Sequence, residues 1–378
     1  MSISLHWNPS PARLSAPRYT WSMFTPAKEF RPDIQGMRAI GALLVMIFHI
    51  WIPKVSGGVD VFFVISGFLM TQVFIGMLHD KGFKPFQFWT NVIGRIAPMA
   101  YLVMAATAIA SYGLMSPVDW KDTLAHFWHA ALQLENWNLI GEQVGYLQRD
   151  RSLSPFQQYW ALSLQVQFYL VLPFFLGGLS WLYKATGKKD SLVLTLLAFS
   201  WLVSFGFAVW LAGIDEKAAY FYSGARAWEF ITGITLALVR SQLRISTGAA
   251  NGLAAFGIGL LLLTGIILPA DAAFPSWPAL MPVLAASLVI LTGAQATTIW
   301  FSWLRSPWLV SQGSYGFSIY LWHWPLLVFA LNWLDKPRLS LSEGLMVIAG
   351  ALVLARLSYS GLEKPLKRKK RSTLNIIR

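Results

Sequence analysis

Arg38 and His49 stand eleven residues apart in an otherwise apolar run. Eleven steps of 100° end about 20° past three full turns, so on a helix both side chains project from one face, about 16 Å apart along the axis. An arginine is a permanent cation suited to phosphate, and a histidine can take a proton from a hydroxyl near neutral pH. The plainer reading is a snorkelling arginine and a histidine satisfied by a neighbouring helix. Asp60 opens the next apolar run, close enough along the chain to meet His49 across a short turn. A carboxylate there would fix the histidine tautomer and raise its basicity; the alternative is an aspartate capping a helix start. Tyr320 and His323 lie one turn apart among Trp and Leu, placed to bind a substrate, to orient His49, or simply to join an aromatic belt. Arg226 and Glu229, at i and i+3, read as an intramembrane ion pair or a binding group. His126 and His129 have no acid or thiol ligand at a clear spacing, so a solvated pair is expected there and no metal.

These residues need elements to hold them, and the composition says which. Of 378 residues, 56% are hydrophobic and 12% charged, about half the charged fraction of a soluble domain. Apolar runs recur from residue 37 to 362 with no long polar block between them, which excludes an appended soluble catalytic domain. Ten such segments are read as membrane-spanning helices: about 37–53, 57–78, 95–115, 159–182, 191–213, 226–239, 248–268, 277–294, 313–333 and 343–362. With both termini cytoplasmic, 22 of the 30 Lys and Arg fall inside and 8 outside, as the positive-inside rule requires. Residues 1–36 read as a flexible cytoplasmic tail with no cleavable signal, 37–363 as the transmembrane domain and 364–378 as a basic cytoplasmic tail. The net charge of +13 is assigned to topology and anionic lipid rather than nucleic acid, because the basic residues lie between and after the spans. The outer segment 116–158, with Trp120, Trp128, Trp137 and the Arg149-Asp150-Arg151 run, is too long for a connector and is expected to roof something.

Zero cysteines exclude disulfides, thiolate metal sites and a cysteine acyl carrier. The strings of a serine-elbow hydrolase, a zincin and a P-loop pump do not occur. Ser66, beside Gly67, is an outside candidate for an acyl carrier.

The string Arg31-Pro32-Asp33-Ile34-Gln35-Gly36-Met37-Arg38 with His49, then Gly58-Val59-Asp60-Val61-Phe62-Phe63-Val64-Ile65-Ser66-Gly67-Phe68, closely resembles the opening of the integral-membrane acyltransferase family 3. Later segments agree in order: Arg95-Ile96-Ala97-Pro98, Trp160-Ala161-Leu162-Ser163 through Gln167-Phe168-Tyr169, Arg226-Ala227-Trp228-Glu229 with Gly233, Phe274-Pro275-Ser276-Trp277, Ser318-Ile319-Tyr320-Leu321-Trp322-His323-Trp324-Pro325, and Glu363-Lys364-Pro365. The resemblance covers residues 31–365. It implies an all-α enzyme of about ten spans in the cell inner (plasma) membrane, moving an acyl group, usually acetyl, from cytoplasmic acetyl-CoA to a hydroxyl of an extracytoplasmic envelope glycan or glycolipid. Under it, His49 is the general base assisted by Asp60, Arg38 and Arg95 hold the phosphates of CoA, and Arg226, Glu229, Tyr320, His323 and Gln165 serve the substrate. No metal is expected. Two departures stand out: the family's paired glutamates fall on Gln165 and Val166, and its double arginine ahead of Arg95 on Asn91 and Val92, so the grip on CoA would be either weaker or rebuilt from Lys81, Lys84 and Arg305. The chain ends 13 residues after Pro365, which favours an acceptor that comes to the membrane, a lipid-linked sugar or envelope glycolipid. The rival class is a transporter or flippase of a lipid-linked sugar, with Arg38, His49 and Asp60 as a proton relay; a third is a non-catalytic scaffold, for which His49→Ala would be silent.

Overall fold

The computed structural model describes residues 23–25, 30–52, 54–142, 153–269, 273–293 and 295–366. Most of both tails and the Arg149-Asp150-Arg151 run lie outside the described residues. Fifteen α-helices follow in order: α1 (Pro32–Trp51), α2 (Gly58–Lys81), α3 (Pro85–Leu114), α4 (Trp120–Ala131), α5 (Glu135–Gly141), α6 (Tyr159–Ala185), α7 (Asp190–Ala212), α8 (Glu216–Phe221), α9 (Ser223–Val239), α10 (Thr247–Ile267), α11 (Leu280–Thr292), α12 (Ile299–Leu304), α13 (Pro307–Ser314), α14 (Gly316–Leu334) and α15 (Leu341–Ser358). The described residues contain no strand. In a bilayer only a helix or a closed barrel satisfies every backbone group, so all-helical structure follows from the apolar runs.

Among the described residues, eight helices are long and apolar enough to cross a membrane: α1, α2, α3, α6, α7, α10, α14 and α15 with its extension to Leu366. The apolar segments expected at 226–239 and 277–294 are helical too but shorter, 17 and 13 residues in α9 and α11. Eleven of the α9 residues are buried, so this helix meets other helices instead of lipid on most of its circumference. Two helices start well before the sequence reading places them. α3 starts at Pro85, ten residues before the expected 95, because Pro85 sits where its missing N–H costs nothing and the half-polar turns after it continue the helix. α1 starts at Pro32, with Arg31 bonded to Asp33 and donating to the Ile290 carbonyl of α11 at 2.9 Å, so the helix is anchored well before its apolar run.

α2 and α9 run side by side in the same direction. At their crossing both are stripped of side chain: a Cβ on Gly67 would lie 2.2 Å from the Phe230 carbonyl oxygen, and one on Gly233 would lie 2.1 Å from that of Val64. Small residues let membrane helices approach at backbone distance. Seven residues, two turns, before each glycine come Asp60 and Arg226. Residues 120–141 are helical rather than a plain loop: α4 and α5 fold back on each other through Gln133, whose φ of 59° makes the tight turn, and they pack on α3, α6 and α8.

Candidate active site

A cavity with about 1210 Å³ of space, its mouth included, opens between α2, α3, α6 and α14. Its α2 wall runs from Val59 to Val73, about 21 Å at 1.5 Å per residue. The helices dictate its lining: α2 is apolar on nearly every face, so the wall is Val59, Phe62, Ile65, Leu69 and Met70, broken only by Ser66. Arg38, Arg95 and Glu363 supply charge, two guanidiniums against one carboxylate. Arg38 lies almost two turns inside α1, half buried, and its Nη1 donates to Gln35 Oε1 at 3.0 Å. Arg95 is exposed and acts on Arg38 as a like charge, while Glu363 attracts it. Glu363 reaches this wall from a π-helical turn, Tyr359–Glu363, that continues α15. Midway, the Gln165 amide donates to Ser66 Oγ at 2.8 Å and to the Tyr169 hydroxyl. Tyr169 had been read only as part of a motif; its one-turn spacing from Gln165 on α6 was the available signal. Arg305 is occupied elsewhere, donating to the Gly293 carbonyl over the Phe301 ring at 4.6 Å, and neither it nor Lys81 or Lys84 lines the cavity.

One turn beyond the Tyr320 end of the cavity stands a pair of histidines. His49 Nδ1 and His323 Nε2 are 2.9 Å apart, their rings stacked at 5.2 Å and 16°. Trp324 closes against His49 edge-on at 5.0 Å. His323 is entirely buried and His49 half buried. Proton positions follow from the partners. The Tyr320 carbonyl can only accept, so His323 Nδ1 carries the hydrogen and its Nε2 offers a lone pair. His49 Nδ1 therefore donates to it, and in the neutral His49 ring the lone pair lies on Nε2. Tyr320 itself does not point a free hydroxyl at a ligand: its O–H donates to the Gln158 carbonyl at 2.8 Å.

Asp60 does not meet His49. It pairs with Arg226 at 3.0 Å, and Arg226 also pairs with Glu229 at 2.9 Å, all three side chains fully buried. Phe63, Trp160 and Tyr220 surround the guanidinium at 5.3, 5.9 and 5.2 Å from their ring centroids. The sequence reading placed Asp60 by its nearness along the chain, whereas the parallel packing of α2 on α9 turns it toward Arg226. The relay of Arg38, His49 and Asp60 is accordingly not contiguous among the described residues.

His126 on α4 is not solvated either. It is buried between two carboxylates, Nδ1 at 2.5 Å from Glu135 Oε1 and Nε2 at 3.4 Å from Glu142 Oε2. The α4–α5 turn brings these acids back over it, a fold-back that spacing alone did not convey. Burial opposes its charge, but the hydrogen bonds to Glu135 and Glu142 prevail and push His126 up to about 10. Burial raises Glu135 to about 7 against the pull of His126, and the bond to His126 lowers Glu142. The two acids sit on opposite ring nitrogens and cannot converge on one ion, and no group of three metal-ligating side chains occurs among the described residues. His129 Nδ1 lies 2.8 Å from the carbonyl of Ala125.

Comparison with known proteins adds a lineage to this geometry. Residues 31–359 match the acyltransferase domain of the acyltransferase 3 family. A relative in Komagataeibacter xylinus that carries the name membrane-bound transacylase BcsY is 30% identical over 338 residues, 89% of this chain and 83% of its own length. The peptidoglycan O-acetyltransferase OatA of Listeria monocytogenes is 26% identical, over 90% of this chain and 56% of its own length. The O-acetyltransferase OatA of Staphylococcus aureus is 24% identical, over 92% and 58%. The chain thus spans little more than half the length of the two OatA proteins. No solved structure matches it.

Proposed function

Because the chain belongs to the acyltransferase 3 family and is a multi-pass membrane acyltransferase, we propose that it moves an acyl group, acetyl in the simplest case, from cytoplasmic acyl-CoA to a hydroxyl of an extracytoplasmic envelope carbohydrate or glycolipid. The observation that carries this reading is the cavity itself, which begins among Arg38, Arg95 and Glu363 and ends at Tyr320, one turn from the His49–His323 pair. Guanidiniums suit the phosphates of CoA, and an apolar channel with amide and hydroxyl groups midway suits a pantetheine arm. In the reaction, His49 Nε2 takes the proton of the acceptor hydroxyl as its oxygen attacks the thioester carbonyl. The carbon–sulfur bond then breaks, and the thiolate of CoA recovers the proton from His49. His323 holds His49 in the tautomer this needs. Asp60, Arg226 and Glu229 hold α2 against α9 and take no proton. The O-acetyltransferase relatives support an oxygen acceptor, and the peptidoglycan in the name of the Listeria relative suggests an envelope acceptor here.

The test uses sealed proteoliposomes containing purified protein, with labelled acetyl-CoA supplied on one side and envelope extract on the other, followed by mass spectrometry of what gains the label. Transfer only when acetyl-CoA is on the side of Arg95 and the acceptor opposite is expected. Transfer only with both substrates on one side, or none, overturns the crossing route.

A further inference from the structure

Phe62, Tyr320, His323 and His49 form a row of rings whose centroids are 6.4, 5.4 and 5.2 Å apart. Phe62 and Tyr320 line the cavity; neither histidine does. The row therefore marks where the donor space stops and the base begins, and Tyr320 is its last ring on the cavity side. Around that point α14 is stapled to the stretch of chain entering α6. The Tyr320 hydroxyl donates to the Gln158 carbonyl at 2.8 Å, the Gln158 amide to the Leu321 carbonyl at 3.2 Å, and the Trp324 indole to the Ser154 carbonyl at 2.9 Å. All three bonds run from a side chain to a backbone carbonyl, and the first fixes the Tyr320 ring.

We propose that Tyr320 is a gate between the donor cavity and His49, and that it thereby decides whether the acyl group goes to an acceptor hydroxyl or to water. The proposal rests on the acyltransferase reading above. A base able to take the proton of an alcohol can also take one from water, and both oxygens would attack the same thioester carbon. In hydrolysis the water oxygen bonds to that carbon, the carbon–sulfur bond breaks, and CoA thiol and free carboxylic acid leave. A passage open from the cytoplasmic mouth to His49 would admit water along the donor path. The ring of Tyr320 occupies that path at its inner end, 8% exposed, with Phe62 set edge-on against it from α2. The hydroxyl latch to Gln158 is a neutral hydrogen bond, a modest restraint that an arriving pantetheine arm can displace. Because Gln158 leads out of the outer segment, the same bond connects the gate to the side from which the acceptor comes.

The experiment measures two products from the full chain in liposomes given labelled acetyl-CoA: acetate released with no acceptor present, and label incorporated into envelope extract. Tyr320→Phe keeps the ring and removes the latch. The ratio of release to incorporation should rise about tenfold, the effect of a barrier change near 1.4 kcal/mol. Tyr320→Ala should raise it further, and Tyr320→Trp, which refills the space, should return it toward wild type. Phe62→Ala opens the passage from the opposite wall and should act in the same direction, which keeps the test available if an alanine at 320 fails to fold. Variants that lose release and incorporation in parallel would show a merely structural tyrosine and overturn the gate. Wild-type protein that neither incorporates nor releases label overturns the acyltransferase reading instead, and the gate with it.

Discussion

A neutral imidazole has one lone pair, and the bond from His49 Nδ1 to His323 Nε2 decides which nitrogen of His49 presents it. On the proposed mechanism, His49→Ala should lower kcat by about 10²–10⁴-fold while the protein still inserts, since loss of a general base has that size. Retention of half the wild-type rate would make the histidine structural. His323→Phe removes the acceptor of that bond, so kcat should fall by a smaller factor with KM for acetyl-CoA unchanged. Arg38→Ala should do the reverse, raising KM for acetyl-CoA more than it lowers kcat, because the guanidinium faces the donor cavity and not the histidines. A collapsed kcat at constant KM would move Arg38 to the reaction centre. Of these residues, Arg38 and His49 were legible from spacing on one helix, and His323 from its place one turn from Tyr320. The contact between His49 and His323 was one option among several, since residues 274 apart meet only through the packing of α1 on α14.

At the scale of elements, the α2–α9 pair explains what sequence could and could not convey. Arg226 and Glu229 are i and i+3 on one helix, so their pairing is readable without a structure. That Asp60 joins them depends on the register set by Gly67 and Gly233, whose contact is a property of two helices together. Two carboxylates share one guanidinium, so Asp60→Asn leaves the Arg226–Glu229 bond in place and should shift thermal melting little. Arg226→Ala strands buried carboxylates and should cost about 3–5 kcal/mol, read as a large drop in melting temperature in detergent. Equal losses in the two variants would contradict this account. The α4–α5 element has its own pH dependence. His126, raised from 6.5 to about 10, favours the fold fully below 6.5 and loses that contribution as pH rises through about 10. Glu135, raised from 4.5 to about 7, likewise favours the fold below 4.5 and loses its contribution as pH rises through about 7. Glu142, lowered, contributes above 4.5 and loses that contribution as pH falls through its lowered value. Amide protection relative to unfolded chain in residues 120–141 should therefore be greater at pH 5.5 than at pH 8.5, and Glu135→Gln should flatten the difference across neutrality. Exchange rates that follow only the intrinsic pH dependence of unfolded amides would remove any role for this cluster.

For the whole molecule, the absence of cysteine makes sidedness measurable one residue at a time. Single cysteines at exposed Lys121 and Lys188 should label from opposite faces, 121 from outside and 188 from the cytoplasm, if both termini are cytoplasmic. Labelling of both from one face would invert or fold the expected topology. Eight of the ten apolar segments fall on helices long enough to cross a membrane among the described residues, and what their hydropathy left open is how short α9 and α11 are. α9 carries Arg226 and Glu229 on only 17 residues, with its guanidinium satisfied in part by a residue made 166 positions earlier in synthesis. A nascent α9 leaving the ribosome has no such partner, and charged groups are costly in lipid. If α9 enters the bilayer, biogenesis should follow an order: α9 should leave the insertion machinery more readily once α2 is already in the membrane to partner Arg226. In a translation assay with glycosylation reporters, α9 expressed alone should be inserted poorly, and co-expression of residues 58–81 should rescue it.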